Sequence, residues 1–169
     1  MSGLCIRLER PGDIAAITRV TEHAFRSHPH SDQTEHFIIM ALRRAGALSV
    51  SLVAERDAQV VGHIAFSPVE ISDRSEDWYG LGPVAVLPEL QHQGIGKALI
   101  NSGLSALRAL SARGCVVLGE PGYYERFGFK SRPECVFEGV PQEYFQSLSF
   151  GQHSAVGNVS YHEAFAVKG

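Results

Sequence analysis

Residues Gln91-His92-Gln93-Gly94-Ile95-Gly96-Lys97 carry the most chemical information in this chain. An apolar run, Gly82-Pro83-Val84-Ala85-Val86-Leu87, precedes them, and an amphipathic stretch reaching Arg113 follows. Strand, glycine turn and helix in that order make an anion site. The amides of a helix's first turn have no internal partners, and the macrodipole adds partial positive charge there. Glycine keeps Cβ atoms away from a phosphate approaching those amides. The pattern therefore predicts a phosphate-bearing ligand on the main chain of residues 92–97, with Gln91 as a side-chain helper and Lys97 as a nearby cation. A P-loop is excluded, because no Ser or Thr follows Lys97 and the motif's spacer is missing.

Other chemistry-bearing residues are weaker signals. His28, His30 and His36 crowd near Asp32 and Glu35 without tight metal spacing, so no metal is expected. Cys5, Cys115 and Cys135 are an odd set without CxxC spacing, which fits reduced, packed thiols in the cytoplasm.

These residues have to be positioned by the elements around them. Leu4, Ile6 and Leu8 alternate as in a strand with one buried face. Pro11-Gly12-Asp13 supplies a turn and an N-cap for a helix marked by Ile14, Ile17, Val20 and Ala24. Asp32 with Glu35 forms a capping box that predicts a second helix from Asp32, carrying Phe37, Ile38, Ala41 and Leu42 and stopping at Gly46. Strands are predicted over 50–55 and 60–67, joined by the polar turn 56–59. Pro68 and the polar stretch 72–77 separate them from a strand ending at Val86.

After Gln93, Ile95, Leu99, Ala106, Leu107 and Leu110 share one helix stripe, which Gly114 closes. Cys115-Val116-Val117-Leu118 reads as a strand buried on both faces. Strand, helix and strand at this spacing form a right-handed crossover, so the strands are parallel. Pro121 opens a short helix that Gly128 ends, 142–148 reads as helical, and 158–162 reads as the last strand. The expectation is one α+β domain (α/β/α-like) over residues 1–169, with a core of about 4–150 and a C-terminal strand region of 151–169.

The totals agree with a soluble domain. The chain has 169 residues, 44% hydrophobic and 20% charged, which suffices for a sizeable core. A net charge of −3 argues against a nucleic-acid platform. No window approaches the roughly 20 apolar residues of a membrane span. The N-terminus lacks a signal-peptide apolar region. The expectation is a cytoplasmic protein without nucleic-acid or membrane partners.

Three blocks, in order, resemble the GCN5-related N-acetyltransferase (GNAT) superfamily. Gln91 to Gly96 matches its [Gln/Arg]-x-x-Gly-x-[Gly/Ala] signature, Val84 to Glu89 resembles its strand exit, and Tyr124 to Phe129 resembles its Tyr-x-x-x-Gly-Phe block. Val61-Gly62-His63-Ile64, Leu81 to Val86, Leu118 to Phe129 and Tyr161-His162-Glu163-Ala164-Phe165 are similar to the YhbS-like branch of bacterial acetyltransferases. The resemblance spans residues 4–166.

It implies a mixed, mostly antiparallel central sheet with a splayed parallel strand pair and flanking helices. It implies acetyl-CoA as cosubstrate, with the pyrophosphate on Gln91, His92, Gln93, Gly94, Ile95, Gly96 and Lys97. The main chain of Val84, Ala85 and Val86 would pair with the pantetheine amides as an added strand does. The reaction implied is direct attack by a primary amine, and an alkyl amine with a pKa near 10 needs a base. Tyr124 aligns as the acid at the coenzyme sulfur, favoured over Tyr123 by its spacing to Gly128-Phe129. The strand 78–86 holds no acid or histidine, so Glu120 is the first candidate base, with His63 and Glu70 next. Glu-Pro-Gly stands where the family commonly has Asn. The resemblance allows a homodimer and specifies no acceptor. The alternative is a non-catalytic acyl-CoA sensor on the same fold.

Overall fold

A computed structural model describes residues 3–152 and 154–168. In chain order it contains β1 (Leu4–Leu8), α1 (Ile14–Phe25), α2 (Glu35–Arg44), β2 (Val50–Arg56), β3 (Gln59–Ile71), β4 (Trp78–Val86), α3 (Ile95–Ala109), β5 (Gly114–Leu118), α4 (Pro121–Tyr124), β6 (Cys135–Val136), β7 (Phe145–Ser149) and β8 (Gly157–Tyr161). β2 and β3 are buried on both faces, so their sheet needs cover on two sides.

The sheet runs β1-β2-β3-β4-β5-β7, with β8 added at the far end of β3 and β6 beside β8. β4–β5 and β6–β8 are parallel, and the other pairs are antiparallel. α3 covers one face over Ile64, Phe66, Leu81, Cys115 and Val117. The approach is close: a Cβ on Gly103 would stand 2.2 Å from the Phe66 ring. On the other face α1 and α2 cover Val53, Val60 and Ala85, while the C-terminal segment covers Val69, Trp78, Val116 and Phe145. Fully burying each large apolar side chain contributes about 1.5–3 kcal/mol. This is the mixed, mostly antiparallel α+β arrangement expected, with its parallel pair at β4–β5.

Several local expectations give way to competing contacts. α2 begins at Glu35, not Asp32: Ser31 Oγ donates to both Glu35 carboxylate oxygens at 2.8 and 2.7 Å, and Gln33 adopts φ 62° between them. Asp13 does not cap α1 with its side chain. It holds Arg7 at 2.8 and 3.1 Å and accepts from the Arg10 amide. β3 continues through Pro68 to Ile71, because Val69 to Ile71 find a second partner in β8. α3 stops at Ala109, with Ser111 at φ 63°. Gly114 instead opens β5, where a Cβ would meet the Trp78 ring at 2.4 Å. Leu110 is 52% exposed rather than part of the buried stripe. Only Gln142–Tyr144 of the expected final helix is helical, as one 3-10 turn; Phe145 to Ser149 pair with β5.

The Arg7 guanidinium holds Asp13 down to about 2, against 3.8 for an ordinary aspartate. A depressed carboxylate stabilises the fold above its unfolded pKa, and that contribution is lost as pH falls through the folded one. Asp13→Asn should therefore reduce stability at pH 7 by about 1–3 kcal/mol. Urea titrations should show the gap to wild type closing between about pH 4 and 2.

Candidate functional site

The β4–β5 ladder pairs only Trp78, Tyr79 and Gly80 with Gly114, Cys115 and Val116, after which the strands part. Pro83 has no N–H to donate, Gly82 adopts φ 134°, and the β3–β4 register shifts between Ile64 and Phe66. β5 turns its other edge to β7, from Gly114↔Ser149 to Leu118↔Phe145. The Leu87 amide bonds to the Val61 carbonyl, which fixes the phase of the β3–β4 ladder. In antiparallel alternation Ala85, opposite His63, then turns its main chain to β3, and Val84 and Val86 turn theirs to the gap. Of the three residues expected to form a main-chain rail, Val84 and Val86 face the gap and Ala85 does not.

Past Val86 the chain makes a 3-10 turn (Pro88–Leu90) and enters α3 through two left-handed residues, His92 at φ 65° and Gly94 at φ 88°. Gly94 is the N-cap, no side chain caps the helix among the described residues, and the first helical bond closes from the Ala98 amide to the Gly94 carbonyl. The preceding first-turn amides are left open. Gln91 is placed differently from a direct anion contact: its Nε2 donates to the Val86 carbonyl at 3.1 Å, tying the turn to the strand edge. His92, Gln93 and Lys97 are exposed, and Ile95 is buried in the core and offers main chain only.

A Cβ on Gly96 would lie 3.5 Å from Tyr123 Oη and 3.9 Å from Val86 Cγ2, which is ordinary contact. The protein's own packing therefore does not require glycine in this helical position. Tyr123 was not expected here, and neither were Arg126, whose guanidinium stacks 4.9 Å from the Tyr123 ring, and Arg56, whose Nη1 approaches Gln93 Oε1 at 3.5 Å. No local sequence signal marks them, because only the folded α4 brings Tyr123 back over the turn.

Tyr124 is adjacent but turns inward. Its ring stands edge-on to Tyr123 at 5.0 Å and to Phe129 at 6.0 Å, and occupies the space a Gly119 side chain would need. Burial pushes its phenol up to about 12, so it is neutral and keeps its proton at pH 7. Glu120, one residue beyond Gly119, is exposed, and its carbonyl accepts from the Tyr123 and Tyr124 amides. Tyr123 thus reaches to the turn, while Tyr124 stays at the end of β5 beside Gly119, which Glu120 follows in the chain.

The reserve bases do not join them. Glu70 is exposed on β3 opposite Ser160 of β8. His63 is fully buried, and desolvation lowers it to about 4. Ser51 Oγ spends its single proton on Glu9, so it accepts from His63 Nε2 at 2.8 Å, and Glu9 in turn pairs with Arg43 at 2.8 and 3.1 Å. That chain of contacts fastens β1 and α2 to the sheet centre. His28, His30 and His36 lie in and before α2, and no group of three metal-ligating side chains forms among the described residues.

This arrangement sets a parted pair of parallel strands beside an open helix turn. A family model for the acetyltransferase (GNAT) domain matches residues 47–131, and the chain belongs to the GNAT acetyltransferase family. It is 31% identical to the uncharacterized N-acetyltransferase YhbS of Escherichia coli strain K12, over 96% of this chain and 98% of that protein. Of solved structures, a GNAT family acetyltransferase from Brucella melitensis in complex with acetyl-CoA is 54% identical, with a TM-score of 0.86 over 96% of this chain and 97% of that one. Escherichia coli YhbS in complex with CoA is 31% identical, with a TM-score of 0.88 over 98% and 93%. No helix of the described residues is long and apolar enough to cross a membrane.

Gly119 is the hinge of the aromatic cluster, since a Cβ there would fall 2.5 Å from Tyr124 Cε2. Gly119→Ala should lower stability by about 1–3 kcal/mol through forced repacking. A melting temperature equal to that of wild type would show that Tyr124 is not held against the end of β5.

Proposed function

We propose that this protein is an acetyl-CoA-dependent N-acetyltransferase acting in the cytoplasm as one domain, moving an acetyl group to a primary amine by direct attack. The observation that carries this reading is the open first turn of α3 set beside the unpaired edge of Val84 and Val86. One end suits a diphosphate and the other suits a chain of amides. Gly96, free of any packing demand, gives a phosphate room to approach. When bound, acetyl-CoA supplies the activated thioester.

The side chains divide the rest. Tyr124 donates a hydrogen bond to the thioester sulfur. A phenol near 12 gives up its proton less readily than a thiol near 8.5, so Tyr124 stabilises charge on sulfur and passes a proton only as it receives one. Glu120, at the solvent side of the same end, takes the amine proton through water. The C–N bond forms as the C–S bond breaks, and the proton lost by the amine balances the one that returns to sulfur. The main chain of residues 94–97, with Gln91 bracing the turn and Lys97 nearby, holds the phosphates throughout.

Two measurements test the assignment. Gly96→Val should push a branched side chain into the phosphate position and weaken acetyl-CoA affinity by calorimetry without unfolding the domain. Unchanged affinity would remove the turn from the site. Tyr124→Phe should lower kcat about 10–100-fold in an amine-dependent thiol-release assay and leave acetyl-CoA affinity intact. Glu120→Gln should lower kcat in the same assay at neutral pH, where an alkyl amine is mostly protonated and needs a base. Tight acetyl-CoA binding with no thiol release for any amine would favour the sensor instead.

A further inference from the structure

Two hydroxyl oxygens are buried without a hydrogen-bond partner among the described residues: Ser67 Oγ and Tyr161 Oη. A buried hydroxyl left unpaired destabilises a protein, and few are tolerated without a reason. Both flank Gly80. Ser67, fully buried on β3, stands directly opposite it, and the Tyr161 ring lies on it, 2.7 Å from where a Gly80 Cβ would be. Gly80 is also the last residue of β4 paired to β5, opposite Val116. The two hydroxyl-bearing side chains therefore sit at the fork where the strands part.

Directly opposed residues share a face of the sheet, which puts Ser67, Gly80 and Val116 on the side away from α3. The α3 side of the fork is filled by Phe66, Leu81, Cys115 and Val117. The opposite side carries Ala65, Ser67 and Gly80, all small, so the strands' own side chains fill the fork least from there. The titratable groups acting on Tyr161 are Tyr124, Cys115 and Cys135, all of which burial keeps neutral. His63, farther along the same face, is neutral too, with its Nε2–H given to Ser51.

We propose that Ser67 Oγ and Tyr161 Oη form the acceptor end of the active site, accepting the two N–H bonds of a neutral primary amine and aiming its lone pair into the fork. The inference rests on the acetyl-transfer reading above and adds the acceptor class: unhindered primary amines, against N-alkylated ones. An uncharged, dry setting favours the amine over its ammonium form. A secondary amine would leave one hydroxyl unpaired, which is a strong basis for rejection.

The test uses Ser67→Ala, Tyr161→Phe and the double variant, with benzylamine, spermidine and glycinamide and their N-methyl counterparts in a thiol-release assay. Each single variant should raise the KM for primary amines about tenfold with acetyl-CoA affinity unchanged. The rate ratio of primary to N-methyl amine, high in wild type, should fall toward unity in the double variant. Melting temperatures should equal or exceed that of wild type, because each change removes an unpaired buried group. Unaltered amine kinetics in the double variant, or a drop of several degrees in either single variant, would overturn the inference alone. A wild-type protein that releases no thiol with any of these amines would overturn the acetyl-transfer reading beneath it.

Discussion

Everything distinctive in this fold depends on two parallel strands that cannot stay paired. β4 and β5 share a short ladder and then separate, because β4 carries Gly82-Pro83 and a register shift where further pairing would have to continue. A backbone edge opened in a sheet interior must find partners elsewhere. β5 finds one in β7 on its far side, and Gly119, just beyond it, receives the Gln146 side chain on its carbonyl at 3.3 Å. β4 keeps an open edge at Val84 and Val86, and the only claim on it from the described side chains is that of Gln91 on the Val86 carbonyl. The gap is thus a standing demand for a ligand rich in amides, and the α3 turn at its end is a demand for an anion.

Polar groups away from the fork are treated differently. Arg7 is paired with both Asp13 and Glu55, and Arg43, Glu9, Ser51 and His63 form a continuous chain across β1, β2, β3 and α2. Pairing there is dense, and it holds the half of the sheet that does no chemistry. Toward the fork the strand edge of β4 is open and two unpaired hydroxyls flank Gly80 on β3 and β8, and the open amides of α3 follow the end of β4. Buried polar atoms are left open in both halves, Arg7 Nε and His63 Nδ1 within the paired network and Ser67 Oγ and Tyr161 Oη beside the fork, but only at the fork are they hydroxyls set next to an open strand edge.

The sequence was most informative where the determinant is local. The α3 turn needs only glycine, a preceding apolar strand and a following helix, and all three lie within a short stretch. The parallel pair followed from the crossover rule, again a local pattern. Failures arose where a distant partner decides. Residues 142–148 have an apolar spacing that a helix tolerates, yet the free edge of β5 recruits them as a strand. Glu35 had a capping partner by spacing at Asp32 and a better one in the Ser31 hydroxyl. Gly114 resembled a helix stop, but the Trp78 ring is what excludes a side chain there. Ser67 and Tyr161 are ordinary residues in sequence and meet only through Gly80.

The adjacent tyrosines show how little chain is needed to serve both ends of such a gap. Successive residues of a helix diverge by about 100°, so Tyr123 and Tyr124 cannot face the same way. α4 is a single turn started by Pro121 and followed by a 3-10 turn that Gly128 ends at φ 99°. It directs Tyr123 outward over Gly96 and Tyr124 inward onto Gly119. The first phenol lies beside Arg126, and the second, also partly buried, packs against Phe127 and Phe129 near Cys115. Their different environments follow from one residue of offset, and so does the separation of a hydroxyl beside the α3 turn from a phenol ring against the end of β5. Shifting α4 by one position would exchange these environments, so the spacing to Gly128-Phe129, rather than tyrosine content, decides which phenol lies against Gly119 with its pKa pushed up by burial.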